Sequence, residues 1–80
     1  SEVLKNVGSK TFLWRNDTWI DTTFDRSMKT KKVAFLGEEY FDLISQVPVL
    51  GSYFALGERV IVVHEGQAYE TVAEDDSGSG

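Results

Sequence analysis

The hydrophobic pattern is densest in residues 38–63, where it predicts a helix followed by a buried strand. Apolar residues at positions 40, 43, 44 and 47 have the i, i+3, i+4, i+7 spacing that places side chains on one face of a helix. Pro48 has no backbone N–H to donate, so this helix should end by Val47. The β-branched run from Val60 to Val63 predicts a central strand. A helix packed on a sheet is therefore the simplest core for this chain.

Two further elements complete this half of the chain. Residues Val49 to Leu56 predict a second helical turn or two, ended by Gly57 in the left-handed conformation. The last hairpin should pair residues 58–64 with residues 67–72 around the turn Glu65-Gly66. Its second strand alternates as an outer strand would, with one side made of Ala68, Glu70 and Val72 and the other of Gln67, Tyr69 and Thr71.

The first half of the chain predicts four strands. A weak strand over residues 3–7 ends at the turn Gly8-Ser9. Residues 11–15 and 18–21 flank Asn16-Asp17, which predicts a two-residue hairpin with Trp14 opposite Trp19. Residues 22–28 predict a loop whose Phe24 is held against the body of the domain, and residues 31–35 predict a half-buried strand.

The element order β-β-β-β-α-α-β-β predicts the α+β class. We expect a small antiparallel β-sheet or partial barrel of five to six strands, packed by one or two short helices. Residues 1–73 should form this single small domain, and residues 74–80 a flexible acidic and Gly/Ser-rich tail. Because the chain starts at Ser1, without Met, we expect it to be a piece of a longer protein.

Composition narrows the function classes. The chain has no cysteine, which excludes a disulfide framework and a thiolate metal site and leaves stability to packing, much of it by ten aromatic rings. A net charge of −5 disfavours binding to nucleic acid or anionic lipid. No apolar run is long enough to insert into a membrane. The one basic cluster, Lys29, Lys31 and Lys32, is more typical of a solvated strand edge than of a phosphate site.

The polar residues give no reaction centre. The single histidine, His64, has no second histidine or cysteine to share a metal, so a structural or solvated role is favoured. The acidic residues Glu38, Glu39 and Asp42 lie at a predicted helix start, where they complement the helix dipole. Aspartates recur at 17, 21 and 25, but without the Gly and the terminal Glu of a calcium loop. We therefore expect a protein that is not an enzyme and holds no metal or cofactor.

Five aromatic residues are the candidates for an interaction surface: Trp14, Trp19, Tyr53, Phe54 and Tyr69. A core role is favoured for the two tryptophans over a role in stacking on a ligand. Phe54 is expected to seal the helices over the sheet together with Phe41 and Ile44, against Val60, Ile61 and Val62. If Phe54 were exposed instead, its position beside Tyr53 would indicate an interface on the second helix.

The chain resembles a small C-terminal segment of some bacterial surface or secreted proteins that carry a von Willebrand factor A-type domain behind a vault/inter-alpha-trypsin-inhibitor-type domain. The resemblance covers about residues 5–72 and rests on these runs: Lys10-Thr11-Phe12, Asn16-Asp17-Thr18-Trp19-Ile20-Asp21, Glu39-Tyr40-Phe41-Asp42-Leu43-Ile44, Pro48, Leu56-Gly57-Glu58-Arg59-Val60-Ile61-Val62-Val63 and Gly66-Gln67-Ala68-Tyr69-Glu70. It implies an extracytoplasmic location and a metal-dependent adhesion site in another domain. That site has the form D-x-S-x-S, and Asp25-Arg26-Ser27-Met28-Lys29 departs from it at Lys29.

Two functional hypotheses follow. The first is a non-catalytic accessory domain of a larger bacterial extracytoplasmic protein, which packs against another domain of the same chain or against another protein. The alternative is a small ligand-binding module that uses exposed Trp14, Trp19 or Tyr69 to stack on a sugar or peptide. The two differ in whether the indole rings are buried or open to solvent.

Overall fold

Within residues 3–73, six strands form one open mixed sheet, and two short helices cover one of its faces. The computed structural model describes residues 3–73, so the expected tail at 74–80 lies outside the described residues. The elements are β1 (Leu4–Val7), β2 (Lys10–Arg15), β3 (Thr18–Asp21), β4 (Thr30–Ala34), α1 (Glu38–Gln46), α2 (Val49–Phe54), β5 (Val60–His64) and β6 (Gln67–Val72). The α+β class and the predicted element order are confirmed.

The strand order across the sheet is β1-β2-β3-β5-β6-β4. The neighbours β1, β2 and β3 are antiparallel, as are β5 and β6, but β3 pairs with β5 and β4 pairs with β6 in parallel. The sheet is therefore mixed and unclosed, not a purely antiparallel sheet or a barrel. The prediction of β5 as a central strand is right. The prediction of β6 as an outer strand is wrong, because β4 adds beside it as the edge.

The hairpin turns follow the sequence prediction. Asn16 and Asp17 have φ values of 54° and 59°, and Glu65 and Gly66 have 49° and 82°, as the tight turns of two-residue hairpins require. Trp14 consequently lies directly opposite Trp19 in the register of β2 and β3. At the edge of the sheet, the lysine cluster lies on and just before β4, and Lys31 Nζ is 3.0 Å from Glu39 Oε2 of α1.

The core fills the space between the helices and one face of the sheet. Helix α1 packs on β4 and helix α2 packs on β5. Tyr40 and Leu43 are buried on α1, and Ile44 and Val47 pack against the same core, which confirms the predicted face of that helix. Phe54 is fully buried, and its ring stacks on that of Tyr40 with 5.3 Å between centroids.

Two of the residues expected in this core lie elsewhere. Phe41 is 55% exposed because its position on α1 turns it away from the buried stripe, although its ring edge still contacts Tyr40. Ile61 points to the other face of the sheet, because side chains alternate along a strand and its neighbours Val60 and Val62 face the helices. The prediction that Gly57 adopts the left-handed conformation is also wrong, because Gly57 is not among the glycines with positive φ.

The carboxylate of Asp21 closes a gap between β3 and β5. The parallel ladder there contains only two residue pairs, and where it ends the Val63 N–H donates to Asp21 Oδ2 at 2.9 Å. Lys10 Nζ lies 2.7 Å from the same oxygen, and Thr23 donates its N–H and its hydroxyl to Oδ1. Burial alone would raise the pKa of Asp21, but Lys10 and these hydrogen bonds outweigh it and hold the pKa below its ordinary value. This buried charge has every acceptor oxygen satisfied.

Candidate functional site

The polar residues singled out in the sequence do not converge in the structure. Within residues 3–73, no group of three His, Cys, Asp or Glu side chains is placed to hold a metal ion. The Asp21 carboxylate already accepts a hydrogen bond from the Val63 N–H within the sheet. Asp25 accepts a hydrogen bond from the Ser27 N–H of its own loop at 3.0 Å. His64 Nε2 lies 3.7 Å from Glu65 Oε2 at a sheet end. None of the helices over this part of the chain is long and apolar enough to cross a membrane.

The five candidate aromatic residues have different environments. Tyr53, Phe54 and Trp19 are buried in the core, and Tyr69 is half-buried against it. Trp14 alone among the five is exposed, at 42% of its surface. The burial of Phe54 removes the reason to expect an interface on α2, and Trp14 becomes the aromatic side chain most available to a ligand.

Trp14 forms one wall of a cavity on the helix side of the sheet, which we call the tryptophan cavity. Its volume is about 420 Å³, and its walls are Trp14, Asp17, Trp19, Leu56, Gly57, Glu58 and Arg59. The Trp14 and Trp19 rings are 4.9 Å apart between centroids and tilted by 51°. A Cβ atom at Gly57 would lie 3.4 Å from the Trp19 ring edge, so glycine keeps that wall open.

The polar groups of the tryptophan cavity include both hydrogen-bond acceptors and hydrogen-bond donors. Asp17 and Glu58 contribute carboxylates, which only accept hydrogen bonds, and Arg59 contributes a guanidinium, which only donates. The Trp19 Nε1–H lies on the Gly57 side of its ring, and the structure shows no hydrogen bond from it to any residue between 3 and 73. The Nζ of Lys5 lies 5.0 Å from the centroid of the Trp19 ring, where it already supplies a cation to that indole.

A second surface lies on the opposite face of the sheet, which neither helix covers. The strand registers place one residue from each strand in a single row across this face: Leu4, Leu13, Ile20, Ile61, Glu70 and Lys32. We call its four aliphatic members, Leu4, Leu13, Ile20 and Ile61, the aliphatic row. Leu4 is 59% exposed and the other three are half-buried, and none belongs to the core between sheet and helices.

The aliphatic row borders a groove that contains the exposed cation Arg26. The groove has a volume of about 300 Å³, and its lining includes Leu13 and Ile20 from the row, Phe24 from the following loop, and Arg15 and Arg26. Asp21 also lines it, but Lys10 and three hydrogen bonds already offset that carboxylate. Near β6 this face of the sheet is not exposed to solvent, because Ala68 and Val72 are buried.

The aliphatic row was not predicted from the sequence. Ile61 was assigned to the core, and Leu4, Leu13 and Ile20 were not assigned to either face of the sheet. A local signal was present: the two-residue hairpin that places Trp14 opposite Trp19 also places Leu13 opposite Ile20, on the other face. The remaining contact, Ile20 beside Ile61, comes from parallel pairing between strands about 40 residues apart, which no local pattern encodes.

Comparison with known proteins gives no family: no family model, no curated protein and no solved structure matches the chain. The resemblance to a von Willebrand factor A-associated segment therefore stays a prediction. The tryptophan cavity and the open sheet face are two surfaces of this chain that could bind another molecule.

Proposed function

We propose that this chain is a non-catalytic interaction domain that binds a protein surface through its open sheet face. The observation that supports this is the aliphatic row: four aliphatic side chains in register across four strands, outside the domain's own core. Contiguous apolar surface of this kind is typical of sites where another protein docks. Removing it from water would favour association by about 25 cal/mol for each Å² buried.

The charges beside the row favour one kind of partner. The exposed cation Arg26 lines the adjoining groove in a chain whose net charge is −5. Opposite charges across an interface raise the association rate and exclude partners of the wrong sign. We therefore expect the partner to present aliphatic side chains together with carboxylates. A second copy of this chain, which would bring a second Arg26 to the same interface, is disfavoured.

The resemblance in the sequence suggests where such a partner would be. If the chain is an accessory module of a larger bacterial surface or secreted protein, the partner is another domain of that protein, and both lie outside the cytoplasm. The domain would then position its neighbour, and any adhesion chemistry would belong to the neighbour. Loss of a measured catalytic activity on replacing one residue of this chain would contradict this proposal.

A peptide selection tests the proposed surface directly, because random peptides sample many partner chemistries at once. Random 16-residue peptides displayed on phage would be selected on the immobilised chain, with the Ile61→Asp variant as the competing target in solution. Ile61 is half-buried, so the variant should keep its fold, which circular dichroism would check. We expect the enriched peptides to combine aliphatic and acidic residues, because they must cover the row and face Arg26.

The matched control is Phe41→Ala, which removes an exposed ring from α1, a helix on the covered side of the sheet. It should bind the enriched peptides as tightly as the unaltered chain does. Peptides that bind the Ile61→Asp variant equally well, or that are enriched in lysine and arginine, would overturn the proposal. So would a selection that yields no peptide above background.

A further inference from the structure

The outer edge of β1 exposes backbone groups in a regular pattern. The Trp14 N–H donates to the Val3 carbonyl at 3.0 Å, so these two opposed residues form a hydrogen-bonded pair between β1 and β2. Bonded and non-bonded pairs alternate along an antiparallel ladder, so Leu4 and Asn6 direct their N–H and C=O groups away from β2. Strand β1 ends the sheet, and over residues 3–73 no hydrogen bond reaches these outward groups.

Strand β1 lacks the features that usually protect an edge strand from a partner. Its register with β2 runs without a skipped residue, so no bulge twists the edge away, and it contains no proline. Its one charged residue, Lys5, has Nζ 5.0 Å from the centroid of the Trp19 ring on β3. That ammonium therefore lies over the sheet and not beyond its edge. The other edge strand, β4, carries Lys31 and Lys32, which oppose the addition of a strand.

The aliphatic row reaches the same edge. Leu4 is its outermost member and is 59% exposed. A strand added to β1 would place one side chain directly beside Leu4 on this face, with about 4.5–5.5 Å between the Cβ atoms. An aliphatic side chain at that position would cover Leu4 and extend the row by one strand.

We propose that the edge of β1 binds an extended segment of another protein, which adds as an antiparallel strand and carries an aliphatic residue opposite Leu4. The segment's backbone would bond to the outward N–H and C=O groups of Leu4 and Asn6. A second copy of β1 fits less well, because the register that uses both residues of both copies sets Asn6 of one against Leu4 of the other. Each copy also carries a net charge of −5. The site depends on backbone groups at the edge, so it stands apart from the proposed protein-binding face.

Amide hydrogen exchange of the ¹⁵N-labelled chain tests whether the edge is open. The amides of Leu4 and Asn6 should exchange faster than those of Lys5 and Val7, which the register bonds to β2. Equal protection of the four amides would mean that β1 is not an open edge and would overturn the proposal.

Random heptapeptides displayed on phage supply the probe. They would be selected on the unaltered chain, with the Asn6→Pro variant as the competing target in solution. Proline at position 6 removes an outward N–H and leaves the ladder to β2 intact, so the variant should keep its fold, which circular dichroism would check. Asn6→Ala, the matched control, keeps that N–H and should bind as the unaltered chain does. We expect the enriched peptides to carry aliphatic residues at alternate positions.

The best heptapeptide would then be tested for strand pairing. At about ten times its dissociation constant, exchange of the Leu4 and Asn6 amides should slow about tenfold. Methylation of a peptide nitrogen that bonds to β1 should weaken the affinity about tenfold, because a hydrogen bond is lost, whereas methylation of the next nitrogen should change it little.

The controls separate this edge from the open face of the sheet. Ile61→Asp alters that face three strands away from β1, so it should leave the affinity for the heptapeptide unchanged. A selection that yields no peptide above background, equal binding to the Asn6→Pro variant, or equal sensitivity of neighbouring peptide nitrogens to methylation would each overturn the proposal. Self-association of the free chain that Asn6→Pro abolishes would assign the edge to a second copy instead.

Discussion

The two faces of the sheet differ in what covers them more than in what they are made of. Along β5, the side chains of Val60 and Val62 are fully buried under the helices, whereas the alternating residues Ile61 and Val63 are half-buried on the open face. All four are β-branched aliphatic residues. Their hydropathy is nearly the same, so burial on each face is decided by which element packs across it. A strand with aliphatic residues on both faces, of which the helices cover only one, indicates a surface that another molecule can cover.

The largest expected effect of a substitution lies on the covered face. Phe54→Ala should lower the free energy of unfolding by about 3–5 kcal/mol, the usual cost of truncating a fully buried ring. A domain of this size has a total of roughly 5–15 kcal/mol at most, so the variant should be largely unfolded in moderate urea. Urea melts followed by circular dichroism would measure the change.

Phe41→Ala is the matched control for Phe54→Ala, because it removes the same ring from an exposed position. Its 55% exposure and its single ring contact with Tyr40 predict a loss of about 1 kcal/mol or less. If the two variants had equal urea midpoints, the assignment of the core to the space under the helices would be contradicted.

Local patterns were sufficient to predict much of the covered side. The spacing of Tyr40, Leu43 and Ile44 identified the buried face of α1, and Pro48 marked the end of that helix. The hairpin turns were predictable because Asn16, Asp17 and Gly66 are residues that tolerate positive φ. These features depend on residues that are close in the chain.

The features that sequence reasoning missed depend on contacts between distant segments. The parallel pairing of β3 with β5 and of β4 with β6 makes β6 internal and brings Ile20 beside Ile61. The tryptophan cavity likewise requires the segment at Gly57 to approach the β2–β3 hairpin, which the hairpin sequence does not specify. The exposure of Trp14 beside a buried Trp19 follows from where the helices stop covering the sheet.

The next effect concerns Asp21, the residue that joins the β1-β2-β3 half of the sheet to β5. Asp21→Asn leaves one acceptor oxygen where the carboxylate had two, so either the Val63 N–H and Lys10 or the two Thr23 donors lose their acceptor. We expect a loss of about 2–3 kcal/mol at neutral pH, the cost of hydrogen bonds to a buried charged group.

The loss on Asp21→Asn should depend on pH with a definite sign. The folded state holds the pKa of Asp21 below its ordinary value of 3.8, so this group stabilises the fold fully above that value. The stabilisation is lost as the pH falls through the lowered pKa. The gap between the two unfolding free energies should therefore be largest near pH 6 and should narrow below about pH 4. A gap that stayed constant from about pH 6 to pH 3 would mean that the carboxylate charge does not hold the sheet together.

The smallest effect compares the two faces most directly, because it uses neighbouring residues of the same type. Val62→Ala and Val63→Ala remove the same two methyl groups from adjacent positions of β5, one on the covered face and one on the open face. Val62 is fully buried, so its truncation should cost about 2–3 kcal/mol from lost apolar burial and an unfilled cavity. Val63 is half-buried with no helix above it, so its truncation should cost about 1 kcal/mol or less.

Both valines occupy the same strand, so the loss of β-propensity on changing valine to alanine applies to each and cancels in the difference. What remains is the difference in burial between the faces, about 1–3 kcal/mol, measured as the separation of the two urea midpoints at equal m-values. Equal midpoints would show that some part of the chain covers the open face as fully as the helices cover the other, and the aliphatic row would then be core and not a docking surface. If a partner binds that row, Val63→Ala should weaken the affinity for the partner more than Val62→Ala does. Val63 shares its face of the sheet with Ile61, and Val62 does not.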